Sequence, residues 1–318
     1  MKDQLSRFFV KCWVMFLTLS FLMVMGTANA QIPTCLNLEG INGCGLNPEA
    51  YLTNPIGEGE GLDGSKVVGK PKFSYWHVNL GASDLDWDAI SGSMTFYDRL
   101  EVGVSRNMLD LNEFSYPPNK PDLMTDTINL DSLSAKLQLI KENQFLDRIM
   151  PALSAGVLYK DTDFDKASDI YDDDSGFDYY AVASKNIHAL PLPISLTAGI
   201  RSTKKHLMGA LGFGDERDEF FFGNLQVVFP TPNFIPSTFL IGGEYVGPTD
   251  VGENKAHNFD FENHEMYDIH LAWAPTHHFW IVGSYLNTGD DDVYDYRNKG
   301  KHPQGFGGGW VTSFQYRF

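Results

Sequence analysis

Three residues near the end of the sequence are of the types that a hydrolase uses. Asp268 and His270 alternate on one predicted strand, and Ser284 lies on the next. A serine activated by a histidine that a carboxylate orients performs acyl transfer on several unrelated folds, so an enzyme acting on lipid or envelope substrates is one alternative. The direction of Ser284 stays open, because its face also carries apolar residues at positions 280, 282 and 286. We predict that Asp268 and His270 line a polar interior and that the protein is not an enzyme.

A second candidate is a metal site among the aspartates of one polar stretch. Asp161, Asp163 and Asp165 are spaced like the opening of a calcium-binding loop, and Asp172 follows at the last position of such a loop. That loop needs Gly at its sharp turn, where this chain has Lys166, and usually a bidentate Glu at its end. The sequence therefore predicts an acidic surface, with no metal site and no cofactor.

The first 30 residues have the features of an export signal. A basic start is followed by an apolar stretch over residues 12–26 and by Ala-Asn-Ala at 28–30. An apolar run of about 15 residues is shorter than the roughly 20 that a membrane-spanning helix needs, so we predict a signal peptide, residues 1–30. Cys35 and Cys44 are the cysteines that remain, and an oxidising compartment favours a disulfide between them. Two free thiols are the alternative.

Composition narrows the class of protein further. The chain has 318 residues, with 24 basic and 41 acidic side chains and a formal net charge of -17. Nucleic-acid binding needs clustered Lys and Arg to neutralise phosphates, so no nucleic-acid partner is predicted. With 43% hydrophobic and 14% aromatic residues, the chain is too apolar for an intrinsically disordered protein.

The candidate residues lie on segments in which apolar and polar residues alternate. At the C-terminus, Phe314, Tyr316 and Phe318 share one face, while Gln315 and Arg317 share the other. Strands of about ten such residues are the pattern of a transmembrane β-barrel, in which all backbone groups pair with neighbouring strands. Twelve strands are predicted, at residues 72–80, 88–97, 99–107, 131–141, 150–160, 177–186, 193–203, 218–229, 238–247, 263–274, 278–288 and 308–318. Ten or fourteen strands also fit the pattern, and a soluble β-sandwich is the alternative fold.

The connections between these strands alternate in length, as short periplasmic turns and long external loops do in such barrels. The long polar ones are 108–130, 161–176, 204–217, 248–262 and 289–307. Residues 31–71 are different, because they are rich in Gly and Pro and have no sustained period. They form either a periplasmic tail or a plug inside the barrel of residues 72–318. We favour the plug, because a small loop closed by Cys35 and Cys44 suits a constriction.

The polar face of the predicted strands defines the lining of the lumen. The charged members of this lining are Arg99, Glu101, Lys136, Arg201, Glu244, Asp268, His270 and Arg317. Both signs are present, so strong selectivity for anions or cations is not expected. Pairing of Glu101 with Arg99, or of Glu244 with Arg201, is one way in which these charges would fill the interior. The tryptophans at positions 76, 87, 273, 280 and 310 are expected in aromatic girdles at the membrane interfaces.

Several stretches resemble outer-membrane β-barrel proteins of Gram-negative bacteria: NPEAYL at residues 47–52, YDRLEV at 97–102 and the terminal Phe318. The chain is also similar to an uncharacterised proteobacterial family defined only as a domain of unknown function. The resemblance implies an antiparallel, all-β barrel in the outer membrane. It further implies contact with outer-membrane lipid, and assembly machinery that recognises the terminal aromatic residues Phe314, Tyr316 and Phe318. From the aspartates of the acidic loops, we expect those loops to share divalent cations with lipopolysaccharide.

Such an architecture favours a passive channel or an uptake protein for small solutes. A closed structural or adhesive barrel is the alternative, because one fold serves many functions. The resemblance supplies no substrate and no catalytic residue.

Overall fold

The computed structural model describes residues 35–56, 61–62, 64, 67–81, 85–111, 127–146, 149–164, 173–210, 212–230, 237–254, 259–289 and 305–318. Within these residues, twelve strands form a closed barrel and four shorter strands form two hairpins. In chain order the strands are β1 (Cys35–Leu36), β2 (Asn42–Gly43), β3 (Lys72–Leu80), β4 (Leu85–Phe96), β5 (Leu100–Leu111), β6 (Thr127–Ile140), β7 (Ala152–Phe164), β8 (Ser175–Ile187), β9 (Ile194–Lys205), β10 (Phe213–Pro230), β11 (Thr238–Val246), β12 (Thr249–Asn254), β13 (Phe259–Asn263), β14 (Met266–Ala274), β15 (Phe279–Asn287) and β16 (Gly308–Arg317). A 3-10 helix, Leu207–Gly209, lies between β9 and β10.

The predicted barrel and its count of twelve strands are confirmed. Each wall strand pairs antiparallel with its neighbours, and β16 pairs with β3 through partners such as Gln315 and Ser74. This pairing closes the wall, so every wall strand has a partner on both edges, as a bilayer requires. The closed order also rules out the two packed sheets of a soluble sandwich.

Two of the predicted loops contain regular strands instead. Strand β9 continues to Lys205 and β10 begins at Phe213, so that connection is much shorter than residues 204–217. The region 248–262 carries β12 and most of β13, which pair as a hairpin. Alternation between apolar and polar residues is required only where lipid covers one face. Where both faces of a strand meet polar surroundings, the backbone still pairs with its neighbour, but the sequence no longer alternates between apolar and polar residues.

The outer face of the wall is a broad apolar surface. Its exposed large side chains include Phe73, Ile90, Val104, Leu133, Leu137, Tyr179, Phe221, Leu225, Ile241, Ile269, Leu271 and Phe314. Monomers in water rarely expose apolar patches beyond a few hundred Å², whereas hydrocarbon stabilises such a face. The wall is therefore that of a transmembrane barrel. Among the described residues, no helix is long and apolar enough to cross a membrane.

The inner face mixes polar and apolar side chains, and this corrects the expected girdles. Trp76, Trp87 and Trp280 point inward and are almost fully buried, whereas Trp273 and Trp310 project outward. The girdle prediction is wrong for the first three. The sequence alternation could not distinguish inward from outward tryptophans, because strands such as β3 carry aromatic residues on both faces.

Candidate functional site: the filled lumen

Residues 35–56, called the inner segment below, lie inside the barrel and are buried along almost their whole length. Their first strand is bound by the two wall strands that close the barrel. The side-chain amide of Gln315 on β16 accepts from the Leu36 N–H at 2.9 Å and donates to the Leu36 carbonyl at 3.1 Å. The Trp76 indole on β3 donates to the same carbonyl at 3.1 Å. The wall thus satisfies backbone groups that the irregular segment cannot pair by itself.

Glu101 and Lys136 hold the middle of the inner segment. The Glu101 carboxylate accepts the backbone N–H of Asn42 at 2.8 Å and that of Thr53 at 2.7 Å. Lys136 Nζ lies 3.1 Å from Glu101 Oε2 and donates to the carbonyl oxygen of Tyr51 at 2.7 Å. Both charged side chains are about 1% exposed. They are direct partners across β5 and β6, so Glu101 pairs with Lys136, and the expected pairing with Arg99 is wrong.

A larger charged cluster surrounds Glu39 of the inner segment. Arg201 Nη1 and Nη2 donate to the two Glu39 carboxylate oxygens at 2.6 and 2.7 Å. Lys160 contacts the same carboxylate, and Lys205 Nζ lies 3.5 Å from Glu39 Oε1. Burial by itself would raise the pKa of Glu39, but Arg201, Lys160 and Lys205 outweigh it and hold that pKa well below its usual range. Glu39 is therefore a buried carboxylate anion surrounded by cations.

Asp178 on β8 completes this cluster from the wall side. Arg201 Nε donates to Asp178 Oδ2 at 3.1 Å, and the Thr203 hydroxyl donates to Asp178 Oδ1. Asp178 thus fixes the plane of the Arg201 guanidinium that Glu39 meets. The predicted pairing of Arg201 with Glu244 is wrong, because the inner segment supplies the carboxylate that Arg201 binds.

Glu244 is held in another way, by hydrogen bonds from backbone N–H groups of the inner segment. Its carboxylate oxygens accept from Leu46 N at 2.7 Å and from Asn47 N at 3.1 Å. Gly45 makes this approach possible, because a Cβ there would lie 3.1 Å from both Glu244 Oε2 and Asp268 Oδ2. The carboxylate therefore anchors a turn of the inner segment to β11.

The structure brings the candidate hydrolase residues together but in the wrong order for a catalytic triad. Asp268 Oδ1 lies 3.0 Å from His270 Nδ1, and the Ser284 hydroxyl donates to Asp268 Oδ2 at 2.9 Å. In a triad the serine bonds to the histidine, whose other nitrogen meets the carboxylate. Here the aspartate holds both partners, and all three are buried. The arrangement favours a structural hydrogen-bond group.

Glu244, Asp268 and His270 are also the residues that could hold a metal ion. Each offers a ligand atom, and these atoms lie within 4.8 Å of one another. However, both Asp268 oxygens and both Glu244 oxygens already accept hydrogen bonds from the protein. These hydrogen bonds fix the orientation of both carboxylates, and the absence of a metal site stays a prediction.

The other predicted site residues lie away from this centre. Arg99 directly follows a tight turn, and its Nη1 donates to the carbonyl oxygen of Gln138 at 3.2 Å. Arg317 is half-buried at the end of β16. Asp161 and Asp163 are exposed on β7. Asp165 and Asp172 lie outside the described residues. The aromatic groups predicted as the assembly signal, Phe314, Tyr316 and Phe318, project from the outer face, and their role stays a prediction.

Cys35 and Cys44 are free thiols in this structure, and both are buried. Cys35 pairs with Gly43 across β1 and β2, which brings the two cysteines close together. Burial raises the pKa of Cys35 to about 11. The disulfide stays a prediction.

Four members of the charged cluster were not identified from the sequence: Glu39, Lys160, Asp178 and Lys205. Lys160 and Asp178 lie on predicted strands, and Lys160 shares the inward face of Ser154. Their alternation could therefore have identified them. Glu39 lies in a segment without a period and gave no such signal, and Lys205 lay within a predicted loop.

The fold and the lumen define the class: a closed, twelve-stranded transmembrane β-barrel whose interior is occupied by a segment of its own chain. The chain belongs to the DUF3034 family, described as a protein of unknown function, whose model matches residues 33–300. This confirms the predicted resemblance to a domain of unknown function. No curated protein matches the sequence.

Three solved structures show the same general architecture at low identity. The NanC porin is 10% identical with a TM-score of 0.44, and the match covers 78% of this chain and 98% of that one. The COG4313 outer membrane channel from Pseudomonas putida F1 is 11% identical with a TM-score of 0.38, covering 79% and 95%. The translocator domain of the autotransporter NalP from Neisseria meningitidis is 11% identical with a TM-score of 0.38, covering 79% and 88%.

Proposed function

We propose that the protein is an outer-membrane channel for a small solute, closed in the described state by the inner segment. The observation that carries this proposal is the chemistry of the contact between the segment and the wall. The wall presents charged and amide side chains to the segment, and these same groups would line the path of a polar solute once the segment moved. If the wall served only to pack against the inner segment, apolar side chains alone would be sufficient.

The size of the barrel supports this function. Barrels of eight strands are filled by their own side chains, whereas sixteen strands leave an aqueous channel. Twelve strands enclose more space than the wall residues fill, and the inner segment occupies the remainder. Because the segment is not a strand of the wall, it can leave without breaking the pairing that closes the barrel.

Single-channel recording in planar bilayers tests the proposal. The full chain is compared with a variant that lacks residues 35–56, after both are shown to form heat-modifiable barrels. We expect brief or rare conductance steps from the full chain and frequent, larger steps from the deletion variant. Silence from both proteins would overturn the proposal.

One observation favours a closed structural barrel as the second candidate. The segment is held by a buried ion pair between Glu39 and Arg201 of the wall, and breaking such a pair costs about 3–5 kcal/mol. Lys160 and Lys205 contact the same carboxylate, so the segment would seldom leave. Silence of the full chain with conductance from the deletion variant would favour this second candidate.

The location and the partners belong to the same proposal. The apolar outer face supports insertion in a bilayer, and a closed barrel is the form that bacterial outer membranes accept. We further propose that the exposed Asp161 and Asp163 share divalent cations with lipopolysaccharide. Thermal melting with millimolar calcium tests this contact in vesicles with and without lipopolysaccharide. An unchanged melting temperature in both would exclude it.

A further inference from the structure

We propose that Arg201, Lys160 and Lys205 form a carboxylate-binding site for the solute, which Glu39 occupies in the closed state as a tethered substitute. The inference rests on the proposed channel function, because a solute reaches this site only when Glu39 withdraws. It names the chemical class of the solute: a small molecule that carries a carboxylate.

The geometry at Arg201 is that of a ligand site. Its two terminal nitrogens meet the two oxygens of Glu39 at 2.6 and 2.7 Å. This parallel pair of bonds is the bidentate form in which arginine binds oxyanions such as a carboxylate. Asp178 holds the guanidinium from behind through Nε and Nη2, at 3.1 and 2.5 Å. The wall therefore orients the Arg201 guanidinium independently of the inner segment.

The charges show why the site needs an anion. Lys160, Arg201 and Lys205 are all buried, and Asp178 is the wall carboxylate that Lys160 and Arg201 share. Without Glu39, Arg201 and Lys160 would leave one positive charge uncompensated beside Asp178 in a region of low dielectric. An uncompensated buried charge is strongly destabilising, so withdrawal of Glu39 leaves a vacancy that a solute carboxylate fills.

The inner segment presents Glu39 at the tip of a tight turn. The Asn37 side-chain oxygen accepts the backbone N–H of Glu39 at 3.0 Å and that of Ile41 at 2.9 Å. Gly40 has a φ of 76°, which lets the chain reverse immediately after Glu39. The Glu39 carboxylate thus projects from the tip of a narrow loop, in the way that a terminal carboxylate projects from a small ligand.

Chemical rescue tests the site without requiring conductance. The full chain carrying Glu39→Ala is refolded with sodium acetate, or with sodium chloride at equal ionic strength, and its melting temperature is measured. We expect acetate to raise the melting temperature of this variant by about 2 °C or more, with no specific shift for the unaltered protein. Inorganic phosphate is the second probe, and it should give a smaller shift, because it is larger than the carboxylate that the buried site encloses.

Glu49→Ala is the matched control. Glu49 is buried in the same segment, but its carboxylate contacts Gln226 and Cys44 instead of an arginine. Acetate should leave this variant unchanged. Equal shifts in both variants, no acetate shift in Glu39→Ala, or an equal response to phosphate would overturn the carboxylate site.

Glu39→Gln keeps the shape of the side chain and serves where the alanine variant does not fold. In planar bilayers, acetate should increase its open time relative to chloride, because acetate competes better than an amide for Arg201. Open times that are the same in both salts would overturn the inference. Rescue by acetate together with silent bilayers would reject the channel function but leave the carboxylate site standing.

Discussion

The backbone of Gly40 in the inner segment presses directly on the wall at Gly103. A Cβ on Gly103 would overlap the carbonyl oxygen of Gly40, and a Cβ on Gly40 would lie 2.6 Å from the carbonyl oxygen of Val104. The segment can approach β5 this closely because neither residue has a side chain. This contact lies next to Glu39, so it sets how deeply that carboxylate reaches into its cluster.

Gly103→Ala is therefore expected to displace the inner segment. The added methyl group must push Gly40 away from the wall, which weakens the adjacent contacts of Glu39. We expect more frequent conductance steps in planar bilayers than the unaltered protein gives, and faster proteolysis within residues 35–56.

Gly283→Ala is the control for this substitution. Gly283 lies on the outer face of β15, and a Cβ there would meet no atom within 4 Å. If both variants behaved like the unaltered protein, the close approach would have no role in holding the segment.

Lys136→Met is expected to lower the free energy of unfolding by about 3–5 kcal/mol. The substitution leaves the buried Glu101 carboxylate without its cation and removes donors to the inner segment. Arg106→Met is the comparison, because the Arg106–Asp131 pair is exposed on the outside of the wall and should be worth about 0–1 kcal/mol. Urea unfolding of the refolded barrels measures both. The double variant Glu101→Gln/Lys136→Met should cost less than the sum of its single changes.

The stability that Glu39 contributes should depend on pH at the acidic end. Because its pKa is lowered in the folded protein, the unfolded chain takes up a proton first as the pH falls. The contribution is complete above the usual pKa of 4.5 and is lost as the pH falls through the lower, folded value. Unfolding measured from pH 7 to pH 3 should show this loss. Glu39→Gln should remove that part of the pH dependence, and an unchanged profile would contradict the assignment.

The two thiols should react slowly in the folded barrel. Burial raises the pKa of Cys35 to about 11, and burial together with Glu49 holds that of Cys44 well above its usual value. The thiolate is the reactive form, so iodoacetamide at pH 8 should label the native protein far more slowly than the urea-unfolded protein. Mass spectrometry without reductant also tests the predicted disulfide. A mass two units below that of the reduced chain, in protein that was exported to the periplasm, would establish the bond.

His270→Ala is expected to leave ester hydrolysis at the background rate of the unaltered protein. The Ser284 hydroxyl donates to Asp268, so His270 is not placed to activate it. Hydrolysis of a p-nitrophenyl ester by the purified barrel is the measurement. Activity in the unaltered protein that His270→Ala abolished would restore the enzyme alternative.

The strands could be predicted because lipid imposes a simple rule on them. Residues 263–274 were predicted as a strand and contain β14, whose outward side chains are all aromatic or aliphatic: Tyr267, Ile269, Leu271 and Trp273. The interior follows no such rule. Tyr75 and Trp76 are neighbouring aromatic residues of β3, yet one projects into lipid and the other is buried inside.

The charged cluster was beyond prediction for a related reason. Arg201 lies on a strand with a clear alternation, but its partner lies 162 positions away in a segment without periodicity. Only the path of the inner segment through the lumen brings Glu39 to Arg201. Pairing on the wall, such as Glu101 with Lys136, follows from strand register and would have been accessible from a correct alignment of β5 with β6.

The binding of Leu36 by Gln315 and Trp76 has a consequence for biogenesis. These two side chains belong to β16 and β3, the strands whose pairing forms the final seam. Leu36 can make all of these contacts only after β16 has joined β3, so closure of the seam completes the binding site for the start of the inner segment. We therefore expect the segment to dock no earlier than the pairing of the last strand. A barrel stalled before that step should leave the segment undocked.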